Sequence, residues 1–278
     1  MKKFKKKLIG LFYHVIERPI LTAFVVLILT AILVISLSLK YYLQDFEGFW
    51  SNVLVEAHGM LFDIAIIGIL LFWLNENGEI RHQVRAYHNE IDDFRTWHSE
   101  EAAFRIVGNI RRLNRHDITE INLANCHLQQ TNMSYLNLAG ANLNSAIVTN
   151  CSLVEVNLEN SRMNQTNLEN SNLNSANLKG AYANGANFQD AYLIKAQFEN
   201  AYLIKANFKN AFLMESNLTG SFLMGADFDQ TSFYKADLRG AKGLTAEQLC
   251  KAKTLYLAEL DPELRAEVVK LAPQLIEG

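Results

Sequence analysis

The residue types that could do chemistry are concentrated in a charged stretch near residue 90. His88 and Asp92 are four residues apart, a spacing that places both on one face of a helix, but no H-E-x-x-H or comparable metal motif occurs. A solvated helix face is therefore favoured over a metal shared between subunits. The whole set is His82, His88, Glu90, Asp92, Asp93 and His98.

Other reactive groups are equally isolated along the chain. Cys126, Cys151 and Cys250 do not form a C-x-x-C pair, and three cysteines do not make a disulfide framework. The sequence contains no phosphate-binding loop and no nucleophile paired with a base by motif. We therefore predict that the chain is not an enzyme and carries no metal, cofactor or catalytic residue.

A second group of ionisable residues, Glu56, His58 and Asp63, interrupts an apolar run over 53–74. Glu56 and Asp63 are seven residues apart and share one helical stripe. Charges near the middle of a bilayer are costly and seldom face lipid, so we expect Asp63 to face a partner helix. An interhelical hydrogen bond is favoured; an ion or proton path, or a span that begins after His58, are the alternatives.

Two apolar runs predict a transmembrane hairpin over 20–74. Residues 20–39 contain no charge, and a helix of that length covers the hydrocarbon core of about 30 Å. Six basic residues precede this run, whereas the loop after it has one lysine. The positive-inside rule therefore places both termini in the cytoplasm, at a bacterial inner membrane. Residues 1–19 form a basic amphipathic segment on the inner leaflet, or a plain retention signal.

Residues 75–117 are charged and periodic, which predicts cytoplasmic connecting helices. Spacings of three, four and three residues are typical of a helix seam. Ser99 is a suitable N-cap for a second helix, whose apolar face would contain Ala103, Ile106, Ile110 and Leu113. The seam residues are Val84, Tyr87, Ile91 and Phe94.

From residue 121 the sequence repeats every five residues without a slip. The middle position is apolar in all 24 units from Leu123 to Leu238, and the position two residues earlier is usually small. A helix repeats every 3.6 residues and a strand every two, so a period of five matches neither. A fixed short period instead predicts a solenoid whose units share a continuous core. The other three positions of each unit should face outward.

Units such as ANLNS at 141–145 and ANLKG at 176–180 resemble the pentapeptide-repeat family, whose consensus is A-(D/N)-L-x-x. The resemblance implies a right-handed quadrilateral β-helix with four units per coil, and so six coils over 118–243. The expected fold is this solenoid with an N-terminal transmembrane α-hairpin, connecting helices, and a C-terminal helical cap over 244–278. In that cap Leu249, Leu255, Leu264, Val268 and Leu271 should cover the open end.

Large apolar residues recur every ten residues at outward positions of the C-terminal coils. Ten residues are half a coil, so they should alternate between two opposite faces, and apolar stripes of this kind favour an interface. Ordinary surface aromatics are the alternative. The interface candidates are Tyr182, Tyr192, Ile194, Tyr202, Ile204, Phe212, Met214, Phe222 and Met224.

Three functions fit the sequence to different degrees. The favoured one is a membrane-anchored scaffold that forms a homo-oligomer or binds a protein partner, with the lipid bilayer as its other partner. The alternative is an oligomeric channel or pore-forming stress or phage-defence effector with Asp63 lining the path. A DNA-mimic that binds gyrase is disfavoured because residues 121–241 carry nine acidic and seven basic residues, and no nucleic-acid partner is expected.

Overall fold

The computed structural model describes residues 46–277 and, before them, Ile28, Ile32, Leu33, Ile35, Ser36 and Leu39. The predictions for 1–19 and for most of 20–39 lie outside the described residues. The chain divides into two compact units, Met1–Asn77 and Gly78–Gly278.

Helix α1 spans Phe46–Phe94, a continuous helix of 49 residues. It passes through the predicted boundary between the second span and the connecting helices without a break. A glycine inside a helix costs only about 1 kcal/mol, so Gly78 does not end it. Among the residues that the structure describes, no helix combines the length and apolarity needed to cross a membrane.

Helix α2 spans Glu100–Asn114 and begins as the sequence predicts. The Ser99 hydroxyl accepts a hydrogen bond from the backbone N–H of Ala102 at 3.2 Å, which satisfies one of the free donors of the first turn. The predicted apolar face, Ala103, Ile106, Ile110 and Leu113, is buried.

The predicted seam residues of α1 lie against the same core as α2. Ile91 is fully buried, while Val84, Tyr87 and Phe94 are partly buried and pack on that core. The guanidinium of Arg112 lies 5.6 Å from the centre of the Tyr87 ring, and that of Arg105 lies 5.3 Å from the centre of the Phe94 ring. Cation–π contacts therefore add to the apolar packing between the two helices.

The repeat forms a solenoid with four columns of parallel β-bridges. Each residue of a column pairs with the residue 20 positions later, so one coil contains four five-residue units. This register confirms the coil length that the family resemblance implies. The columns run from Asn122 to Lys242, from His127 to Asp227, from Asn132 to Thr254, and from Asn137 to Glu259.

A tight turn joins each unit to the next. The N–H of Cys126 donates to the carbonyl oxygen of Leu123 at 3.1 Å, and Asn125 between them has a φ of 58°. Positive φ at the third of four residues is the feature of a type II turn. A positive φ recurs two residues after the middle residue of each unit, and residues as large as Tyr135 (64°) and Lys195 (60°) adopt it.

The asparagines just before the centres act through their side chains. The Asn122 Oδ1 accepts from the N–H of Ala124 at 3.3 Å and from the Asn142 Nδ2 at 3.1 Å. Local turn bonds and amide ladders between coils are therefore both present. The residues with left-handed backbone lie three positions after these asparagines.

The interior holds the central side chains in stacks. Phe208 stacks on Phe188 and Phe228, with ring centres 4.9 and 5.6 Å apart. Phe198 lies edge-on to Phe188 at 5.9 Å and to Phe208 at 6.0 Å. Three rings therefore share one inner face, and Phe198 lies opposite them.

The β-helical path continues beyond Ala241, where the sequence repeat was predicted to stop. Ser232 pairs with Thr254 and Asp237 with Glu259, so the spacing grows from 20 to 22 residues. Helix α3, Ala246–Leu249, lies within this longer coil. The sequence signal for the longer coil is the pair Leu255 and Leu260, both buried. They keep the five-residue spacing but are out of phase with the units before them.

Two further helices, α4 over Pro262–Leu271 and α5 over Gln274–Glu277, follow the last coil. Asp261 begins α4, and its carboxylate accepts from the Gly240 N–H at 3.0 Å rather than from α4. Leu249, Leu255 and Val268 are buried and Leu264 packs partly buried on the core, while their covering of the open end stays a prediction. The expectation for Leu271 is wrong, because its side chain is 59% exposed.

Side chains from the first two helices cover the opposite end of the solenoid. The backbone groups of the first coil have no earlier coil to bind. The Arg111 Nη2 donates to the Asn132 carbonyl at 2.7 Å, and the Asn114 Nδ2 donates to the Asn137 carbonyl at 2.8 Å. Arg95 likewise donates to the Ala124 carbonyl at 2.8 Å. These bonds replace those that a preceding coil would make.

The inner phenylalanine stack generates a stability prediction. Phe208→Ala removes a ring that contacts Phe188, Phe198 and Phe228, so we expect the free energy of unfolding to fall by about 3–5 kcal/mol. Phe208→Leu, which restores the commonest central residue, should cost less than half as much. Thermal unfolding followed by circular dichroism measures both variants, and equal costs would contradict the stack as the cause.

Candidate interaction surface

Three aromatic side chains form a continuous outer stack, here called ladder A. Tyr182, Tyr202 and Phe222 occupy successive places in one bridge column. Their ring centres are 4.8 and 4.6 Å apart, and the planes differ by 6° and 3°. The Lys242 ammonium lies 4.4 Å from the centre of the Phe222 ring and ends the stack with a cation–π contact.

A second stack, ladder B, consists of Tyr192 and Phe212, whose ring centres are 5.0 Å apart. It lies in the column that contains Asn172 and Ser232. The two ladder columns are separated by one other column on each side of the coil, so the ladders face opposite ways. This is the alternation that the ten-residue spacing predicts.

Apolar residues follow an asparagine beside each stack. The Asn174 Oδ1 accepts from the N–H of Ile194 at 2.9 Å, and the Asn184 Oδ1 accepts from the N–H of Ile204 at 3.1 Å. One coil further on the same positions are Met214 and Met224. Isoleucine therefore replaces asparagine in the fourth coil beside ladder B and in the fifth coil beside ladder A.

The exposure of these side chains is uneven. Tyr182, Tyr192 and Met224 are 43%, 46% and 58% exposed. The other six interface candidates are half-buried. For the three rings among them the reason is that stacking covers their faces and leaves their edges accessible. Tyr135, at 71% exposure, is a large exposed ring that the ten-residue pattern did not identify.

The remaining two faces are polar, and ion pairs offset part of their acidic charge. Amide ladders link successive coils, as between Asn187 and Asn207 at 2.9 Å. Ion pairs also cross between coils: Lys179 lies 3.0 Å from Glu199, and Lys209 lies 3.0 Å from Asp229. Neither face presents a run of unpaired like charges comparable with a nucleic-acid backbone.

The family model for pentapeptide repeats matches this part of the chain in eight copies, over residues 121–158, 151–190, 184–220 and 215–242. Residues 121–242 are a pentapeptide-repeat domain. The match, the five-residue turns and the 20-residue bridge register agree with one another. None of the curated proteins shows significant similarity to the chain.

Solved structures similar to the chain include pentapeptide-repeat proteins. One, from the thylakoid lumen of Arabidopsis thaliana, is 25% identical over 38% of this chain and 67% of its own, with a TM-score of 0.30. Another, Rfr23 from the cyanobacterium Cyanothece 51142, is 20% identical over 56% and 96%, with a TM-score of 0.34. QnrB1, a plasmid-mediated fluoroquinolone resistance protein, is 16% identical over 57% and 90%, with a TM-score of 0.29. With TM-scores this low, the family assignment depends on the repeat match and the coil geometry.

The predicted intramembrane residues lie on α1, outside the pentapeptide-repeat domain. Glu56 and Asp63 are exposed on that helix. The side chain of His58 lies outside the described residues. No described residue is shown facing Asp63, so the partner helix expected for it stays a prediction.

The histidine-rich stretch does not assemble a metal centre. In the described part of the chain, no group of three or more histidines, cysteines or carboxylates is placed to hold a metal ion. His98 instead packs on His127 of the first coil, with ring centres 3.7 Å apart. Burial, and secondly the neighbouring His98, lower the pKa of His127, which favours a neutral ring in this contact.

Two cysteines are part of the packed interior of the pentapeptide-repeat domain. Cys126 and Cys151 are buried, and the Cys151 thiol donates to the Leu128 carbonyl at 2.8 Å. Burial raises the pKa of Cys126 to about 11 and also raises the pKa of Cys151. Their role is to fill the small inward position, as the sequence predicts.

This burial predicts the order of thiol reactivity. A pKa of about 11 for Cys126 leaves about 100-fold less thiolate at pH 8 than an ordinary thiol has. Iodoacetamide should therefore modify the half-exposed Cys250 first and leave Cys126 and Cys151 intact until the protein unfolds. Peptide mass spectrometry with and without guanidinium measures this order, and native labelling of Cys126 as fast as Cys250 would contradict it.

Proposed function

We propose that the chain is a membrane-anchored pentapeptide-repeat scaffold that associates with further copies of itself, or with a protein partner, at the cytoplasmic face of a bacterial inner membrane. The observation that carries the proposal is the pair of aromatic ladders on opposite sides of a rigid solenoid. The family itself has protein-interaction roles.

The surface of α1 supports a membrane anchor. The large apolar side chains that the structure describes between Val55 and Trp73 are exposed, with Val55 at 74% and Ile69 at 71%. A large exposed apolar surface favours a lipid or protein environment. The uncharged run 20–39 supports a second span, which would return the chain to the side on which it began.

The ladders support association through the solenoid. Each combines aromatic rings with neighbouring isoleucine and methionine side chains, and aromatic residues and methionine are enriched at protein interfaces. Stacking fixes the rings before any partner binds, so little conformational entropy is lost on binding. The polar faces between the ladders satisfy their own amides and charges and offer less to a partner.

Self-association predicts a specific effect of charges placed on ladder A. Tyr182→Lys combined with Met224→Lys alters two exposed positions without removing an inner side chain. If the ladder is an interface, burying two lysines is costly, and we expect the association constant of the detergent-solubilised protein to fall by at least about tenfold. Sedimentation velocity measures the distribution of oligomers.

The matched control adds the same charges on a polar face. Asn170→Lys combined with Gln230→Lys uses exposed turn positions of the type that Lys195 and Lys205 already occupy, so association should be unchanged. A wild-type protein that is monomeric and captures no stable partner from cells would reject the scaffold. Equal loss in both double variants would show a general charge effect rather than an interface.

An oligomeric channel is the second candidate, favoured by the exposure of two carboxylates on one stripe of α1. Glu56 and Asp63 would face a water-filled path if several copies of the helix came together. The solenoid would then act as the assembly module that brings the helices together.

The channel predicts current that depends on Asp63. In planar bilayers, Asp63→Asn should reduce cation conductance severalfold because a ring of carboxylates is lost. Asp93→Asn, on the charged part of α1, should leave conductance unchanged. Absence of current from an inserted wild-type oligomer would exclude the channel without affecting the scaffold.

A further inference from the structure

The units that carry ladder A hold three basic side chains and no carboxylate. Their column of bridges runs from Asn122 to Lys242, and the charged residues in these units are Arg162, Lys205 and Lys242. All three are exposed, and none takes part in an ion pair with another described residue. The outer surface of this column, here called face A, is therefore both apolar and positively charged.

Face A is poorly suited to contact with a second face A. Arg162 and Lys242 lie two coils on either side of Tyr202. A two-fold axis through Tyr202 would therefore bring Arg162 onto Lys242 and Lys205 onto Lys205 of a second copy. Like charges opposed across an interface are costly, and no carboxylate in the column offsets them. Ladder A is better matched by an apolar surface that offers a carboxylate.

The outer surface of the column of ladder B, here called face B, has this combination. Beside its aromatic stack the charges alternate in sign along the solenoid. The side chain of Glu215 is 45% exposed, and its ion pair with Lys195 is long, at 3.7 Å, so the carboxylate remains accessible to a second cation. The charged residues in the units between 131 and 235 are Glu155, Lys195, Glu215 and Lys235.

Face A and face B match when two solenoids lie face to face with antiparallel axes. Both ladders belong to the same kind of coil, so their rings have nearly the same spacing, 4.6 to 5.0 Å, and stay in step across the contact. The 20-residue register then fixes which apolar side chains are opposed. The pairs are Tyr202 with Phe212, Phe222 with Tyr192, Ile204 with Met214, and Met224 with Ile194.

The same register also places the charges favourably. Each lysine of face B beside the ladder is opposed by a glycine, which leaves room for the longer side chain. A shift by one coil in either direction would instead oppose Lys205 to Lys195 or to Lys235, so charge selects this register. The opposed turn residues are Lys205 with Glu215, Gly225 with Lys195, and Gly185 with Lys235.

A parallel contact offers Lys205 a less available partner. It would turn Lys205 toward the other corner of face B, where one of the left-handed turn residues is a carboxylate, Asp190. The Asp190 Oδ1 already accepts from the Asn210 Nδ2 at 2.9 Å, and its Oδ2 accepts from the Gln189 Nε2 at 3.1 Å. The antiparallel contact, which uses the more accessible Glu215, is therefore favoured.

We infer that ladder A of one copy binds ladder B of the next, with antiparallel solenoids and Lys205 paired with Glu215. This inference rests on the proposed self-association and adds its geometry. One kind of contact then covers both ladders, which accounts for their positions on opposite sides of the solenoid. Contact of ladder B with ladder B would also oppose Lys195 to Glu215, but it would leave ladder A uncovered.

Charge reversal tests the Lys205–Glu215 pair in the detergent-solubilised full-length protein. Lys205→Glu and Glu215→Lys should each lower the association constant at least about tenfold, because like charges then meet. Lys205→Glu combined with Glu215→Lys should restore association, as should an equimolar mixture of the two single variants. Glu155→Lys, the same reversal three coils earlier on face B, should leave association unchanged. Sedimentation velocity measures all five samples.

The alternatives give different patterns in this experiment. Loss with Glu215→Lys but not with Lys205→Glu would assign contact of B with B, and stronger association on mixing Lys205→Glu with the wild type would assign contact of A with A. Either result, or no recovery in the combined variant, would overturn the inference and leave self-association intact. A monomeric wild type would reject the proposed self-association itself, and this contact with it.

Cross-linking tests the register directly. In a Cys250→Ser background, Ile204→Cys and Met214→Cys variants are mixed and oxidised, and the linked peptides are identified by mass spectrometry. We expect disulfides between positions 204 and 214, because these side chains are opposed. Val154→Cys, three coils from Met214 in the same column, should not link to position 204. Links that join 204 to 204, or 204 to 154 as readily as to 214, would overturn the contact.

Discussion

The structure depends on one register: backbone groups in each unit of the solenoid bind the coil about 20 positions away, while the central and the small side chain of the unit point inward. The Leu123 N–H donates to the Asn142 carbonyl at 2.7 Å, and the Asn142 N–H donates to the Ile121 carbonyl at 2.9 Å. Because this pairing fixes the coil length, it also fixes which outer side chains meet. Tyr182 stacks on Tyr202 for the same reason that Phe188 stacks on Phe208.

The periodic part of this arrangement can be predicted from the sequence, whereas the irregular part cannot. An inward leucine every five residues predicts the interior, and the family resemblance supplies the coil length. The four-residue helix Ala246–Leu249 shifts the phase by two residues, so Leu255 and Leu260 are not visible as repeat members. The covering of the first coil by Arg111 and Asn114 uses side-chain bonds to backbone groups, which have no characteristic spacing.

The interaction surface also has one part that the sequence predicts and one part that it does not. Ten-residue spacing places Tyr202 and Phe212 on opposite sides, but spacing alone does not show that neighbouring rings cover their faces.

The occupied ends of the solenoid have a consequence for how copies could come together. The Asn132 and Asn137 carbonyls at the first coil and the Gly240 N–H near the last already have hydrogen-bond partners within the chain, which discourages one solenoid from extending another end to end. Further copies would then associate through the sides of the solenoid. Contact of ladder A with ladder A closes a two-fold pair, whereas contact of ladder A with ladder B repeats in one direction and yields a ring or an open row.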